Sequence, residues 1–145
     1  MVKYPASTPL PTETVQAGRF SKTRHAQATA LLEDYAELIA DLSAIEGEAR
    51  PTDIARRLGV SHATAIKTVA RMKREGLATS KPYRGIFLTP EGQILADKVR
   101  IRHRIVVDFL RKLGVSPDIA ETDAEGIEHY VSDETLKVFS DFLNE

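Results

Sequence analysis

Thr52-Asp53-Ile54-Ala55-Arg56-Arg57-Leu58-Gly59-Val60-Ser61-His62-Ala63-Thr64-Ala65-Ile66-Lys67-Thr68-Val69-Ala70-Arg71-Met72-Lys73-Arg74-Glu75-Gly76 is the stretch that decides the fold. Thr52 is a candidate N-cap for a short helix over Asp53–Leu58, because its hydroxyl accepts from the unpaired N–H groups of a first turn. Gly59 ends that helix in the left-handed conformation. Ser61 caps a second helix that runs to about Glu75 and stops at Gly76. Ala55, four residues before Gly59, is small enough to let the two helices approach, which completes a helix-turn-helix. In the second helix Ala65, Ile66, Val69, Ala70 and Met72 form the apolar set, and His62, Thr64, Lys67, Thr68, Arg71, Lys73 and Arg74 are polar or cationic.

Downstream, Leu77–Ser80 and Ile86–Leu88 are short strand patterns around the basic turn Lys81-Pro82-Tyr83-Arg84-Gly85, which predicts a hairpin. A helix-turn-helix followed at once by a basic hairpin is a winged helix. Thr89-Pro90-Glu91 supplies a cap, a proline at the first helical position and an acidic first turn for a long helix to Leu113, closed by Gly114. Ser116-Pro117 starts another helix through Tyr130, and Ser132 starts a last one through Leu143. Upstream, Leu31, Leu32, Tyr35, Leu38, Ile39, Leu42 and Ile45 recur at helical spacing and predict an amphipathic helix over Arg24–Ile45. Asp34, Glu37 and Asp41 run along one edge of its apolar face. Residues 1–22, rich in Pro, Thr and Ser, read as a disordered arm.

A length of 145 residues allows one domain, or two small ones sharing a helix. The chain has no Cys, which excludes disulfide scaffolds, thiolate metal sites and thiol nucleophiles, and suits a reducing cytoplasm. No apolar run approaches the roughly 20 residues of a membrane span, and the first residues lack a signal peptide's apolar core, so no membrane partner and a cytoplasmic location are expected. The formal net charge of −1 conceals blocks: +7 over residues 49–85 and +3 over 86–113, against −5 over 24–48 and −8 over 114–145. A basic centre lies between acidic flanks.

In a helix-turn-helix the second helix enters the major groove, so Ser61, His62, Thr64, Lys67, Thr68 and Arg71 are candidate DNA contacts at or near base edges. Lys73, Arg74, Lys81 and Arg84 suit phosphates, and Tyr83 suits sugar or phosphate at the wing tip. In the acidic flank Glu125, Glu128 and His129 share a helix face, as do Asp34 and Glu37. Carboxylates with one or two imidazoles favour Mn²⁺ or Fe²⁺ over Ca²⁺. The same residue types also activate water in two-metal hydrolases, but no further acid/base pair accompanies them here, and such an enzyme would leave the winged helix unexplained.

Leu32-Glu33-Asp34-Tyr35-Ala36-Glu37, the winged helix, Tyr83-Arg84-Gly85 before Ile86-Phe87-Leu88-Thr89, Arg102-His103 and Glu125-Gly126-Ile127-Glu128-His129 together resemble the manganese-responsive branch of the diphtheria-toxin-repressor superfamily. The resemblance covers about residues 24–143 and preserves motif order. It implies a mostly α chain: an arm over 1–22, a winged helix-turn-helix over 23–89 with a small two-stranded wing, and a linking helix with an all-helical dimerisation and metal-binding domain over 90–145. It further implies a Mn²⁺-responsive repressor of manganese-uptake genes that binds palindromic operator DNA as a homodimer, takes no small organic ligand and is not an enzyme. By motif match Asp34, Glu37, His103, Glu125, Glu128 and His129 would hold two Mn²⁺ per subunit, with Fe²⁺ possible and an Fe²⁺- or Zn²⁺-responsive repressor as the alternative. Iron-responsive relatives tend to carry Met and Cys where this chain has Asp34 and Glu125, and they continue into a further C-terminal domain. Tyr130 departs from the family, which often has His there.

Overall fold

The computed structural model describes residues 9–145, and the first eight residues of the expected arm lie outside it. Six helices and one hairpin follow in order: α1 (Glu13–Glu46), α2 (Pro51–Leu58), α3 (His62–Arg74), β1 (Ala78–Ser80), β2 (Ile86–Leu88), α4 (Pro90–Lys112), α5 (Pro117–Tyr130) and α6 (Asp133–Leu143). The mostly helical class and the two-stranded antiparallel wing are as the sequence predicts, with Ala78 opposite Leu88 and Ser80 opposite Ile86.

Two boundaries differ from expectation. α1 begins at Glu13, so residues 13–22 are helical where an arm without structure was predicted. The Thr12 hydroxyl accepts from the Val15 N–H and Glu13 sits in the first turn, so a cap and a favourable charge start the helix without any buried stripe. α2 begins at Pro51 with Arg50 at the cap position; proline at the first helical position needs no N–H partner, and Thr52 is already inside the helix.

Two apolar clusters hold the chain. The first joins Tyr35, Ala36 and Ile39 of α1 to Ile54, Ala65, Val69, Met72, Ala78, Ile86 and Ala96. The second joins Val106 and Val107 of α4 to Ala120 and Ala124 of α5 and Leu136 of α6. α4 therefore serves both clusters, its first half packing on α1 and its second on α5 and α6. Its start is fastened to the winged helix: the Thr89 hydroxyl donates to the Gly76 carbonyl at 2.6 Å, and the Thr89 N–H donates to Leu77 O at 3.0 Å. Gly92 lies so close that a Cβ there would sit 2.0 Å from Leu77 O. At the wing base Ile86 N–H donates to Ala49 O at 2.7 Å, and the Glu48 carboxylate accepts from Gly85 N–H at 3.1 Å.

Candidate metal centre and nucleic-acid interface

Three helices bring the predicted acidic residues together. α1 supplies Glu33, Asp34 and Glu37, α4 supplies His103, and α5 supplies Glu121, Glu125, Glu128 and His129. His129 is buried between α1 and α5, donating from Nδ1 to Glu33 Oε2 at 2.9 Å and from Nε2 to Asp34 Oδ1 at 2.8 Å. His103 faces Glu128 Oε2 with Nδ1 at 2.6 Å and Glu121 Oε2 with Nε2 at 2.7 Å. Glu128 is fully buried, and its Oε1 has no hydrogen-bond partner, 3.4 Å from His129 Nε2.

A buried carboxylate oxygen without a donor is costly, by several kcal/mol if charged and isolated, so the site has an unmet demand for positive charge. Glu128 belongs to two ligand groups at once: Asp34, Glu128 and His129 form one, and His103, Glu125 and Glu128 the other, the donor atoms of each lying within 4.8 Å of one another. Beside them is an open cleft of about 230 Å³, lined by Asp34, Glu37, Asp41 and Glu125 with Arg57 of α2 at its edge. Glu37 faces this cleft and belongs to neither three-residue group. All six sequence-predicted metal residues thus converge on one region, five as paired donor groups and Glu37 along the wall.

Protonation follows from the crowding. Burial drives the Glu128 carboxyl up to about 7, against the opposing pull of His103. Burial by itself would lower the His129 imidazole, but its hydrogen bonds to Asp34 and Glu33 outweigh that and raise the ring to about 10. Glu37 is raised by burial first and then by the charge of Glu125. The His103 ring is also raised, its burial being outweighed by Glu121 and Glu128. The cluster is therefore held together by protons at neutral pH, and a divalent cation would take their place.

On α3, Ser61 caps the helix by accepting from Thr64 N–H, and its hydroxyl also bonds the Thr64 hydroxyl. His62, Thr64, Lys67, Lys73 and Arg74 are exposed. Thr68 is a correction to the expected exposed face: it is 6% exposed and sits with Ala65, Val69 and Met72 on the face that packs inward. Arg71 is half-buried and already donates to Ala28 O of α1 at 3.2 Å and to Glu75, so it braces α3 against α1. Lys73 donates to Ser80 of the hairpin at 2.7 Å. In the wing Lys81 and Arg84 both lie over the Phe87 ring, and Arg84 is 3.7 Å from Glu48. Tyr83 is fully exposed at the tip with φ 61, a left-handed conformation that few non-glycine residues adopt.

Residues 27–86 match the family model "Iron dependent repressor, N-terminal DNA binding domain", and residues 89–145 match "Iron dependent repressor, metal binding and dimerisation domain". The chain belongs to the iron-dependent repressor family. Within it, the chain is 51% identical over 126 residues to the transcriptional regulator MntR of Salmonella typhimurium, covering 87% of this chain and 80% of that protein. It is 36% identical over 115 residues to the regulator MntR of Lysinibacillus sphaericus, covering 79% and 83%. Among solved structures it is similar to the manganese regulator SloR, with TM-score 0.71 and 32% identity over 78% of this chain and 53% of that one. A manganese-dependent transcriptional repressor in complex with manganese superposes with TM-score 0.69 and 28% identity, over 78% and 52%. The chain spans about half the length of these two solved structures.

In this iron-dependent repressor, sequence reasoning missed Glu33, Glu121 and Arg102. Glu121 stands one helical turn before Glu125, so the face shared by Glu121, Glu125, Glu128 and His129 was a usable signal. Glu33 had none, because it is about 100° around α1 from Asp34 and only the position of His129 brings both into reach. Arg102 caps the end of α5, donating to Glu128 O at 2.8 Å, to Val131 O and to Asp133.

Proposed function

We propose that the chain is a Mn²⁺-responsive transcriptional repressor of manganese-uptake genes, acting in the cytoplasm as a homodimer on palindromic operator DNA. The observation that carries this reading is the buried Glu128 carboxylate, which belongs to two donor groups drawn from three helices and whose Oε1 has no hydrogen-bond partner. The names of its relatives support the choice of metal and of function. We assign Asp34, Glu37, His103, Glu125, Glu128 and His129 to two Mn²⁺ per subunit, with residues 23–89 binding DNA and 90–145 dimerising. No helix among the described residues is long and apolar enough to cross a membrane.

The donors fit a hard cation: they are carboxylate oxygens and imidazole nitrogens, and Met72, a soft alternative, is buried in the winged-helix core. Bound Mn²⁺ would supply concentrated positive charge to a cluster now held by protons. The residues themselves do the coupling. Asp34 and Glu37 lie on the same helix that braces the recognition helix through Ala28 and Arg71, whereas Glu125, Glu128 and His129 lie on α5. Ordering the carboxylates therefore fixes α1, and with it α3, relative to the C-terminal helices. In a dimer this sets the separation of two recognition helices to match half-sites about one DNA turn apart. Affinity for DNA rises through preorganisation, without the metal centre touching DNA.

The decisive experiment titrates operator DNA with chelator-treated protein and then with Mn²⁺, Fe²⁺ or Zn²⁺. Mn²⁺ at micromolar level is expected to restore binding. Restoration by Fe²⁺ or Zn²⁺ alone would assign a different ion, and binding indifferent to chelator would remove the metal from the mechanism. If Asp34→Ala or Glu128→Ala bound operator without Mn²⁺ as tightly as the parent does with it, the coupling argument would fail. Mn²⁺-dependent turnover of phosphate esters or peptides would turn the reading towards an enzyme.

A further inference from the structure

Each histidine of the centre lies between carboxylates at both ring nitrogens, and the two rings are turned opposite ways. On His129, Nε2 faces the shared donor group, 2.8 Å from Asp34 Oδ1 and 3.4 Å from Glu128 Oε1, and Nδ1 faces Glu33 at 2.9 Å. On His103, Nδ1 faces the shared group, 2.6 Å from Glu128 Oε2 and 3.7 Å from Glu125 Oε1, and Nε2 faces Glu121 at 2.7 Å. A metal-bound imidazole gives the lone pair of one nitrogen and keeps N–H on the other, which then needs an acceptor. Glu33 and Glu121 are the acceptors on the sides away from the shared Glu128.

We infer that Glu33 and Glu121 are positioning residues that fix the ring proton on opposite nitrogens, so that His129 offers Nε2 and His103 offers Nδ1 to a bound divalent cation. The inference rests on the metal reading above. Consecutive residues of α1 then divide the work: Asp34 stands on the ligand side of His129 and Glu33 on its outer side, clamping the buried ring from both nitrogens. Glu33 also crosses from α1 to α5, so the contact that sets the tautomer helps hold the two helices together. The two carboxylates are not equivalent. Glu33 is 17% exposed and Glu121 61%, so solvent can replace Glu121 as acceptor more readily than Glu33.

The test uses full-length protein with ¹⁵N-labelled histidine, loaded with Zn²⁺ as a diamagnetic probe, and long-range ¹H–¹⁵N correlation spectra. His129 is expected to show a metal-shifted Nε2 with a protonated Nδ1, and His103 the reverse. In calorimetric Mn²⁺ titrations Glu33→Ala is expected to weaken binding about 10- to 100-fold, the usual effect of removing an outer partner of a ligand histidine. Glu33→Gln, whose amide oxygen still accepts from Nδ1–H, should recover most of that loss, and Glu121→Ala should lose less than Glu33→Ala. Should Glu33→Ala not fold, the wild-type spectra and Glu33→Gln decide. Two rings presenting the same nitrogen, or Mn²⁺ binding by Glu33→Ala equal to wild type, would overturn the inference and leave the metal reading standing. A wild-type protein that binds neither Zn²⁺ nor Mn²⁺ would overturn both.

Discussion

Replacing Glu128 with Gln should make the metal-free protein more stable at pH 8 while removing its response to Mn²⁺. The side chain is fully buried with one oxygen unpartnered, and its carboxyl is raised from 4.5 to about 7. At about 1.36 kcal/mol per pH unit, holding the charged form in the fold above pH 7 costs roughly 3 kcal/mol. Between pH 4.5 and 7 the folded protein keeps a proton on Glu128 that the unfolded chain has lost, so stability from this group falls as pH rises through that window. The neutral amide escapes this decline. His129 has the same pH slope in a higher window: its ring is raised from 6.5 to about 10, so its stabilisation is whole below pH 6.5 and disappears as pH rises towards 10. Because Glu128 is one of its supports, the variant gives up part of that contribution, leaving a net gain of roughly 1–2 kcal/mol between pH 5 and pH 8. Urea unfolding at pH 5 and pH 8, with chelator and at equal protomer concentration, measures it. With Mn²⁺ the order should reverse, the wild type gaining stability and the variant little. A stability difference unchanged between the two pH values, or a variant that loses ground at pH 8, would refute the account of a strained buried charge.

Mn²⁺ binding must displace the His129 proton and, below pH 7, the Glu128 proton too, so calorimetric Kd should tighten about tenfold per pH unit from pH 7.5 to 9 and more steeply below 7. Lys67→Ala should weaken operator binding, lower the salt slope by about one and leave Tm unchanged, whereas Thr68→Asp should lower Tm sharply because that side chain is buried. Equal effects of the two substitutions on Tm would contradict the assignment of faces on α3. Gly92→Ala forces a methyl to within 2.0 Å of the Leu77 carbonyl oxygen and should cost about 1–3 kcal/mol, read as a Tm lowered by several degrees in metal-free protein.

The helix-turn-helix was legible because its signals are local. Ser61 caps α3 by bonding Thr64 N–H, and Gly59 ends α2 at φ 71, interactions confined to a few neighbouring residues. Thr89 was legible as a cap for the same reason. The start of α1 was misread because composition was weighed above the Thr12 cap, and the face of Thr68 was misread because a threonine is polar by type yet buried by position. Arg71 shows the same limit: its charge suits phosphate, but its Nη1 and Nε already donate to Ala28 O and Glu75.

By itself the sequence determined the order of the helices, the wing, and which acidic residues and histidine share a face on α1 and on α5, since each depends on caps, turns or one-helix periodicity. Only the tertiary structure decided that Glu128 is shared between two donor groups, that its Oε1 is left without a partner, and that Glu33 and Glu121 take the outer nitrogens of the two histidines. Those relations join residues as far apart as Glu33 and His129, and they depend on how α1, α4 and α5 are rotated against one another. That rotation is set by the packing of Tyr35, Val106, Ala120 and Ala124 in the two cores, a collective property that no single stretch of sequence carries.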